Sequence, residues 1–378
     1  MPGMIDQPYL LTPGPLTTSA SVKAAMLRDW GSRDHDFIAL NARVRARLVE
    51  LAGGSGSHVA VPLQGSGTFV VEAMLATLVP PDGKLLVLVN GAYGERMAEI
   101  ARRHRRAVVT LATPEDRPNE PQALADALAA DPAISHVAAV HCETTSGILN
   151  PIAALAEVVA RYDRRLLIDA MSAFGALPLD AREVAFDALA ASANKCLEGV
   201  PGLGFAIVRE SALAAAAGNA QSLALDLVDQ WRAMERTGQW RFTPPTQVLA
   251  ALDQALAEHA AEGGIAGRGA RYRENCRLLV EGMRQQGFET LLPDRLQAPI
   301  IVTFKMPADP RFVFENFYER LREKRYVIYP GKLTAAPSFR IGCIGHLGAR
   351  EMAGALAAIR ATLAEMGVAS GAPAASAA

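Results

Sequence analysis

Lysine is scarce in this 378-residue chain. It stands only at Lys23, Lys84, Lys195, Lys305, Lys324 and Lys332, with arginine at the other basic positions. The accompanying Ala-Arg bias reads as coding composition, and it makes a lysine inside an apolar segment conspicuous. Cysteine is sparse too. Cys142, Cys196, Cys276 and Cys343 lie far apart and show no Cys-x-x-Cys spacing. That argues against a disulfide framework or a zinc site, so no metal is expected and a reducing cytoplasm is. Net charge is almost absent, at −1, and gives no reason to expect nucleic acid or an anionic membrane as partner. The local exception, Arg102-Arg103-His104-Arg105-Arg106, reads as a solvated helix end. No apolar run is long enough to cross a bilayer uninterrupted, and no basic-then-apolar leader pattern or internal repeat is visible.

What the chain does have is size and regularity. With 50% hydrophobic and 20% charged residues it has a soluble globular profile, with enough length for one large and one smaller domain. Strands are expected over 58–63, 85–89, 107–111, 136–141, 166–168 and 205–208, with helices between the first five. Such alternation implies an α/β fold with a mostly parallel sheet, and ligands at the carboxyl ends of its strands. Helices are also expected over 19–30, 37–51, 223–237, 247–261 and 268–286. Beyond 287, strands at 299–304, 327–329 and 339–341 and helices at 312–324 and 348–365 read as a separate α+β unit. The expected division is an N-terminal arm 1–15, a large domain 16–286, a small domain 287–366 and a disordered tail 367–378.

The chemistry concentrates between Arg165 and Cys196. A short strand ends on Asp169, and a second apolar run ends at Ser192-Ala193-Asn194-Lys195. A carboxylate and an amine delivered by successive strands suit pyridoxal phosphate, which has a basic ring nitrogen and an aldehyde. Asp169 would keep the ring nitrogen protonated and Lys195 would bond the aldehyde as a Schiff base. The plain alternative is an Asp capping a helix and a Lys on a solvated loop. Upstream, Gln64-Gly65-Ser66-Gly67-Thr68 opens a helix with small residues, hydroxyls and free N–H groups, a place for phosphate. It matches neither the P-loop nor the dinucleotide spacing. Tyr93 reads as a core aromatic or a ring that stacks on a cofactor. Thr144 and Thr145 are loop hydroxyls, or partners for a phenolic oxygen. Arg340 sits inside a strand pattern, either at an edge or aimed at a carboxylate. The Leu10–Thr17 segment, with Gly14, is an extended arm or a lid, and Ser32-Arg33 is a surface loop or a helper for an anion.

Taken together, these pieces resemble the class V aminotransferases, pyridoxal-phosphate enzymes of fold type I. The likeness runs from Leu11-Thr12-Pro13-Gly14-Pro15 to about Met366, and Asp169-Ala170-Met171-Ser172 and Ser192-Ala193-Asn194-Lys195-Cys196 mark the class. Two pieces are narrower: His141 to Pro151, and Tyr329-Pro330-Gly331-Lys332 with Phe339-Arg340-Ile341-Gly342. They are similar to class members that take 2-aminoethylphosphonate as amino donor and pyruvate as acceptor. Ser146 stands where such sequences often have Thr. The resemblance implies a seven-stranded, mostly parallel sheet and a homodimer with shared sites. It implies that Ser66, Gly67, Thr68 and Ser192 serve the cofactor, with Thr243 reaching its phosphate from the neighbouring subunit. It also implies that Tyr93 stacks on the ring, Asp169 pairs with the ring nitrogen, Lys195 holds the aldehyde and Arg340 grips the substrate carboxylate. Gly14, Ser32 and Arg33 would help hold the phosphonate. Competing readings are an alanine- or serine-glyoxylate enzyme of the same class, a lyase on the same fold, and a sheet protein with no cofactor.

Overall fold

The segment Lys84–Val89 (KLLVLV) is buried from its second residue to its last, which a strand achieves only when helices cover both faces of its sheet. The computed structural model, which describes residues 7–330 and 334–374, supplies those helices. The chain starts with β1 (Tyr9–Leu10), α1 (Ala20–Ala24) and α2 (His35–Leu51). Next come β2 (His58–Gln64), α3 (Gly67–Leu78), β3 (Lys84–Val89), α4 (Ala92–Arg103), β4 (Ala107–Ala112), α5 (Pro121–Ala130) and β5 (Ile134–Val140). A small hairpin, β6 (Cys142–Glu143) and β7 (Ile148–Leu149), precedes α6 (Ile152–Arg161), β8 (Arg165–Asp169), β9 (Ala188–Ser192) and β10 (Leu203–Arg209). Four helices follow: α7 (Glu210–Ala215), α8 (Leu227–Thr237), α9 (Thr246–Ala261) and α10 (Gly264–Arg284). The last elements are β11 (Ile301–Lys305), α11 (Phe314–Glu323), β12 (Tyr326–Val327), β13 (Tyr329–Pro330), β14 (Ser338–Gly342) and α12 (Ala349–Glu365).

Seven strands form the main sheet in the order β2-β10-β9-β8-β5-β3-β4, and only β10 runs antiparallel to its neighbours. Alternate residues feed two cores. Leu86 and Leu88 join α2, α5, α6 and α9 on one face, while Leu85, Val87 and Val89 join α3, α4, α7 and α8 on the other. Each fully buried Leu or Val contributes about 1.5–3 kcal/mol. This fixes the sheet register, and with it the positions of the strand ends.

A second, antiparallel sheet, β11-β14-β13, packs on α10, α11 and α12 through Phe288, Phe304, Phe317 and Phe339. The N-terminal arm belongs to this unit. β1 pairs in parallel with β12, and Gly342 N donates to Leu11 O at 2.9 Å.

Three local expectations differ from the structure. The helix expected over 19–30 ends at Ala24 and tightens to a 3₁₀ turn at Ala25–Leu27. Leu27 is 87% exposed, so its side chain adds nothing to a buried face that would extend the helix. The single strand expected over 327–329 is two, β12 and β13, which pair with β1 and β14 respectively. The tail expected to be disordered from 367 is fastened as far as it is described. Val368 is buried in the aromatic core, Gly371 N donates to Gln286 O, and Ala308 N donates to Ala372 O. Residues 375–378 of that tail, 1–6 of the arm, and Gly331 and Lys332 of the Tyr329–Lys332 motif lie outside the described residues.

Candidate active site

The parallel strands β3, β5 and β8 and the neighbouring β9 end along one side of the sheet, and each hands a polar segment to the same place. Helix α3 starts at Gly67 without a side-chain cap from Ser66, so no side chain claims the amides of its first turn. Helix α4 starts at Ala92 and presents Tyr93. β8 ends on Asp169, and β9 ends on Ser192 three residues before Lys195. A cavity of about 350 Å³ gathers Gly14, Ser66, Gly67, Thr68, Tyr93, Asp169, Ser192 and Lys195.

Its electrostatics are unusual for a protein interior. Asp169 is buried, and its Oδ1 accepts from Met171 N at 2.9 Å. Burial pushes its pKa up to about 6, with the Met171 amide pulling the other way. Lys195 Nζ donates to Pro13 O at 2.6 Å. Burial pulls the Lys195 pKa down, Arg340 adds to the fall, and Asp169 opposes it. Gly14 is needed where it stands: its φ is 113°, and a Cβ there would lie 2.6 Å from Lys195 Cδ and 2.7 Å from Asn194 O.

Arg340 is buried, and among the described residues no carboxylate pairs with it. Nη1 donates to Thr144 O at 2.8 Å and Nη2 to Pro330 O at 3.1 Å, while Nε has no partner. Burial lowers its pKa, and the Tyr329 ring centroid lies 5.5 Å from its Cζ. A guanidinium desolvated in this way is a standing attraction for an oxyanion.

Not every residue singled out in the sequence reaches the cavity. Thr145 Oγ1 is already committed, donating to Glu143 Oε1 at 2.6 Å and accepting from Ala92 N at 3.0 Å. Of the two threonines, Thr144 is therefore the one whose hydroxyl has no such bonds. Arg33 and Thr243 are exposed and Ser32 is half-buried, and none of the three lines the cavity of this single chain.

Two residues escaped the sequence reading. Glu143, fully buried, accepts from Tyr93 N and Gly94 N and so anchors the start of α4. Burial raises its pKa. Its signal was present, an acid in an otherwise neutral loop, but its partner helix is distant in sequence. Arg96 lines the cavity with Nη1 3.4 Å from Thr68 Oγ1, and its Cζ lies 4.9 Å from the Tyr93 ring centroid.

Comparison with known proteins places this architecture. A family model described as aminotransferase class-V matches residues 18–342. The chain belongs to the class V aminotransferases, and it is a pyridoxal-phosphate-dependent enzyme. It is 57% identical over 361 residues to the 2-aminoethylphosphonate–pyruvate transaminase of Pseudomonas aeruginosa, covering 96% of this chain and 97% of the relative. It is 56% identical over 362 residues to 2-aminoethylphosphonate–pyruvate transaminase 2 of Burkholderia lata, covering 96% of each. Among solved structures, pyridoxamine-pyruvate aminotransferase from Mesorhizobium loti superposes with a TM-score of 0.88 at 27% identity. That match covers 98% of this chain and 96% of the other.

The residues present fit the family's cofactor. Among the described residues Ser192 Oγ is buried and has no partner, no side chain caps the first-turn amides of α3, and no ion pair holds Asp169 or Lys195. That donor set suits a phosphate, a protonated ring nitrogen and an aldehyde. Among the described residues no group of three or more His, Cys, Asp or Glu side chains is arranged to hold a metal, and no helix is long and apolar enough to cross a membrane.

Proposed function

We propose that this enzyme moves the amino group of 2-aminoethylphosphonate to pyruvate, giving phosphonoacetaldehyde and L-alanine. The observation that carries the reading is a buried amine and a buried carboxylate on one cavity, with a buried arginine, Arg340, whose hydrogen bonds go to backbone carbonyls. When bound, the cofactor supplies an aldehyde that takes up the amino group and a ring that holds the electron pair left on the substrate carbon.

The chain's own residues do the rest. The Ser66–Thr68 turn and Ser192 would hold the phosphate through hydroxyls and amides. Tyr93 would cover one face of the ring. Asp169, facing the ring nitrogen, would meet a positive charge that brings its raised pKa down and keeps it ionised. Lys195 would hold the cofactor's aldehyde and give place to the substrate amine. Burial lowers its pKa, which would suit the freed amine to carry a proton to and from the substrate carbon. Pro13 O would hold Nζ while it is free. Arg340 would bind the phosphonate of one substrate and the carboxylate of the other in turn, with Gly14, Ser32 and Arg33 as helpers. We further read the enzyme as a cytoplasmic homodimer in which Thr243 completes the neighbour's phosphate site, with a large domain over 16–286 and a small domain over 287–366.

The test is the visible absorption of the cofactor-loaded protein. Adding 2-aminoethylphosphonate without keto acid should bleach the band, and pyruvate should restore it. Bleaching by alanine or serine but not by the phosphonate would overturn the substrate assignment.

A further inference from the structure

Beside the Lys195 turn lies a set of buried and half-buried charges that the transfer itself leaves without a task. Glu198 is 3% exposed and holds a φ of 60°, a region ordinary residues seldom enter. Its Oε1 accepts from Tyr272 Oη at 2.6 Å and from Arg271 Nη2 at 2.7 Å, with Arg268 Nη1 at 3.5 Å. Both arginines also reach Glu262, so two guanidiniums balance two carboxylates. The bonds leave this cluster in two directions. Toward Lys195, Glu198 N donates to Lys195 O at 2.8 Å and Arg268 Nη1 donates to Cys196 O at 2.6 Å. Toward the small sheet, Gly345 N donates to Tyr272 Oη at 3.3 Å, and Arg271 Nη1 donates to Gly345 O and Leu347 O. Gly345 lies just beyond β14, the strand that carries Arg340.

We propose that Glu198, Arg268, Arg271 and Tyr272 are positioning residues that set the Lys195 turn against the segment carrying Arg340. The proposal rests on the reading that Lys195 and Arg340 act on the substrate. One amine must serve two substrates of different length, each anchored by one guanidinium, so the separation of the two groups governs both half-reactions. A left-handed backbone at a non-glycine residue is kept here because its carboxylate is the hub. Burial costs such charges dearly unless every one is paired, which they are. A pair of this kind specifies one arrangement of two segments and rejects looser ones.

Tyr272→Phe removes only the hydroxyl between Glu198 and Gly345. Glu198→Gln keeps an acceptor, whereas Glu198→Ala removes the hub. Each variant would be assayed for thermal midpoint, cofactor absorbance, and kcat and KM with amine donor and with pyruvate separately. We expect Tyr272→Phe to fold and retain cofactor while kcat falls about 10- to 100-fold in both half-reactions. Glu198→Gln should recover most of the rate that Glu198→Ala loses. A lower thermal midpoint in Tyr272→Phe and Glu198→Gln, with parental kcat and KM, would make the cluster structural only and overturn the proposal. Normal transfer by Lys195→Ala would instead remove the reading beneath it.

Discussion

At the scale of single residues, the site works by withholding water from charges. Burial lifts the Asp169 pKa from 3.8 to about 6. A carboxyl whose folded pKa lies above its unfolded value stabilises the fold fully below the unfolded value and loses that contribution as pH rises through the folded one. In the cofactor-free protein this withdraws about 3 kcal/mol between roughly pH 4 and 6. We expect Asp169→Asn to flatten that dependence, raise the cofactor-free midpoint at pH 8, and weaken cofactor binding. Urea titrations across pH check it, and an unchanged slope would refute the assignment. Lys195→Ala should bind cofactor without a covalent link and lose about 10²–10⁴-fold or more in transfer rate, read by single-turnover absorbance. Asp169 and Lys195 were legible in the sequence because apolar strands ending on a charge announce where that charge goes. Glu143, Arg96 and Glu198 were not, because what makes each matter is a partner brought near only by folding.

Elements were legible where burial is two-sided. β3, β5 and β8 follow from their apolar runs Leu85–Val89, Val137–Val140 and Leu166–Ile168, and helices such as α5 begin at proline. Elements held by tertiary contacts were less so. The split of the 327–329 strand depends on the arm lying alongside β12, and the order at Val368 depends on an aromatic cluster that the small residues around it do not betray. The arm itself carries a prediction. Gly14→Ala and Gly56→Ala both place an alanine at positive φ, 113° and 84°, but only at Gly14 does the new Cβ meet backbone and the Lys195 side chain. Both variants should lose about 1–3 kcal/mol to backbone strain. Gly14→Ala should lose more, and it alone should alter cofactor absorbance. Equal midpoints and equal spectra would show that the arm does not bear on Lys195.

For the molecule as a whole, several apolar side chains remain uncovered, among them Phe69 at 51%, Phe242 at 45% and Leu223 at 69% exposed. Phe69 borders the Gly65 turn, and Phe242 precedes Thr243. A second copy of the chain covering them would explain both their exposure and the absence of Thr243 from the cavity of one chain. We expect light scattering to give twice the chain mass. Phe242→Asp should shift the protein toward monomer and cost cofactor affinity with it, whereas a fully active monomer would exclude the shared site. The buried amine bonded to Pro13 has one more consequence. Lys84, Lys305 and Lys324 are all engaged in ion pairs. Among the described residues two amines have lowered basicity, Lys23 and Lys195, and of these only Lys195 lines the cofactor cavity that an acylating or aldehyde-bearing probe could enter before cofactor is added. A reagent shaped to enter that cavity should therefore label the folded protein at Lys195 first.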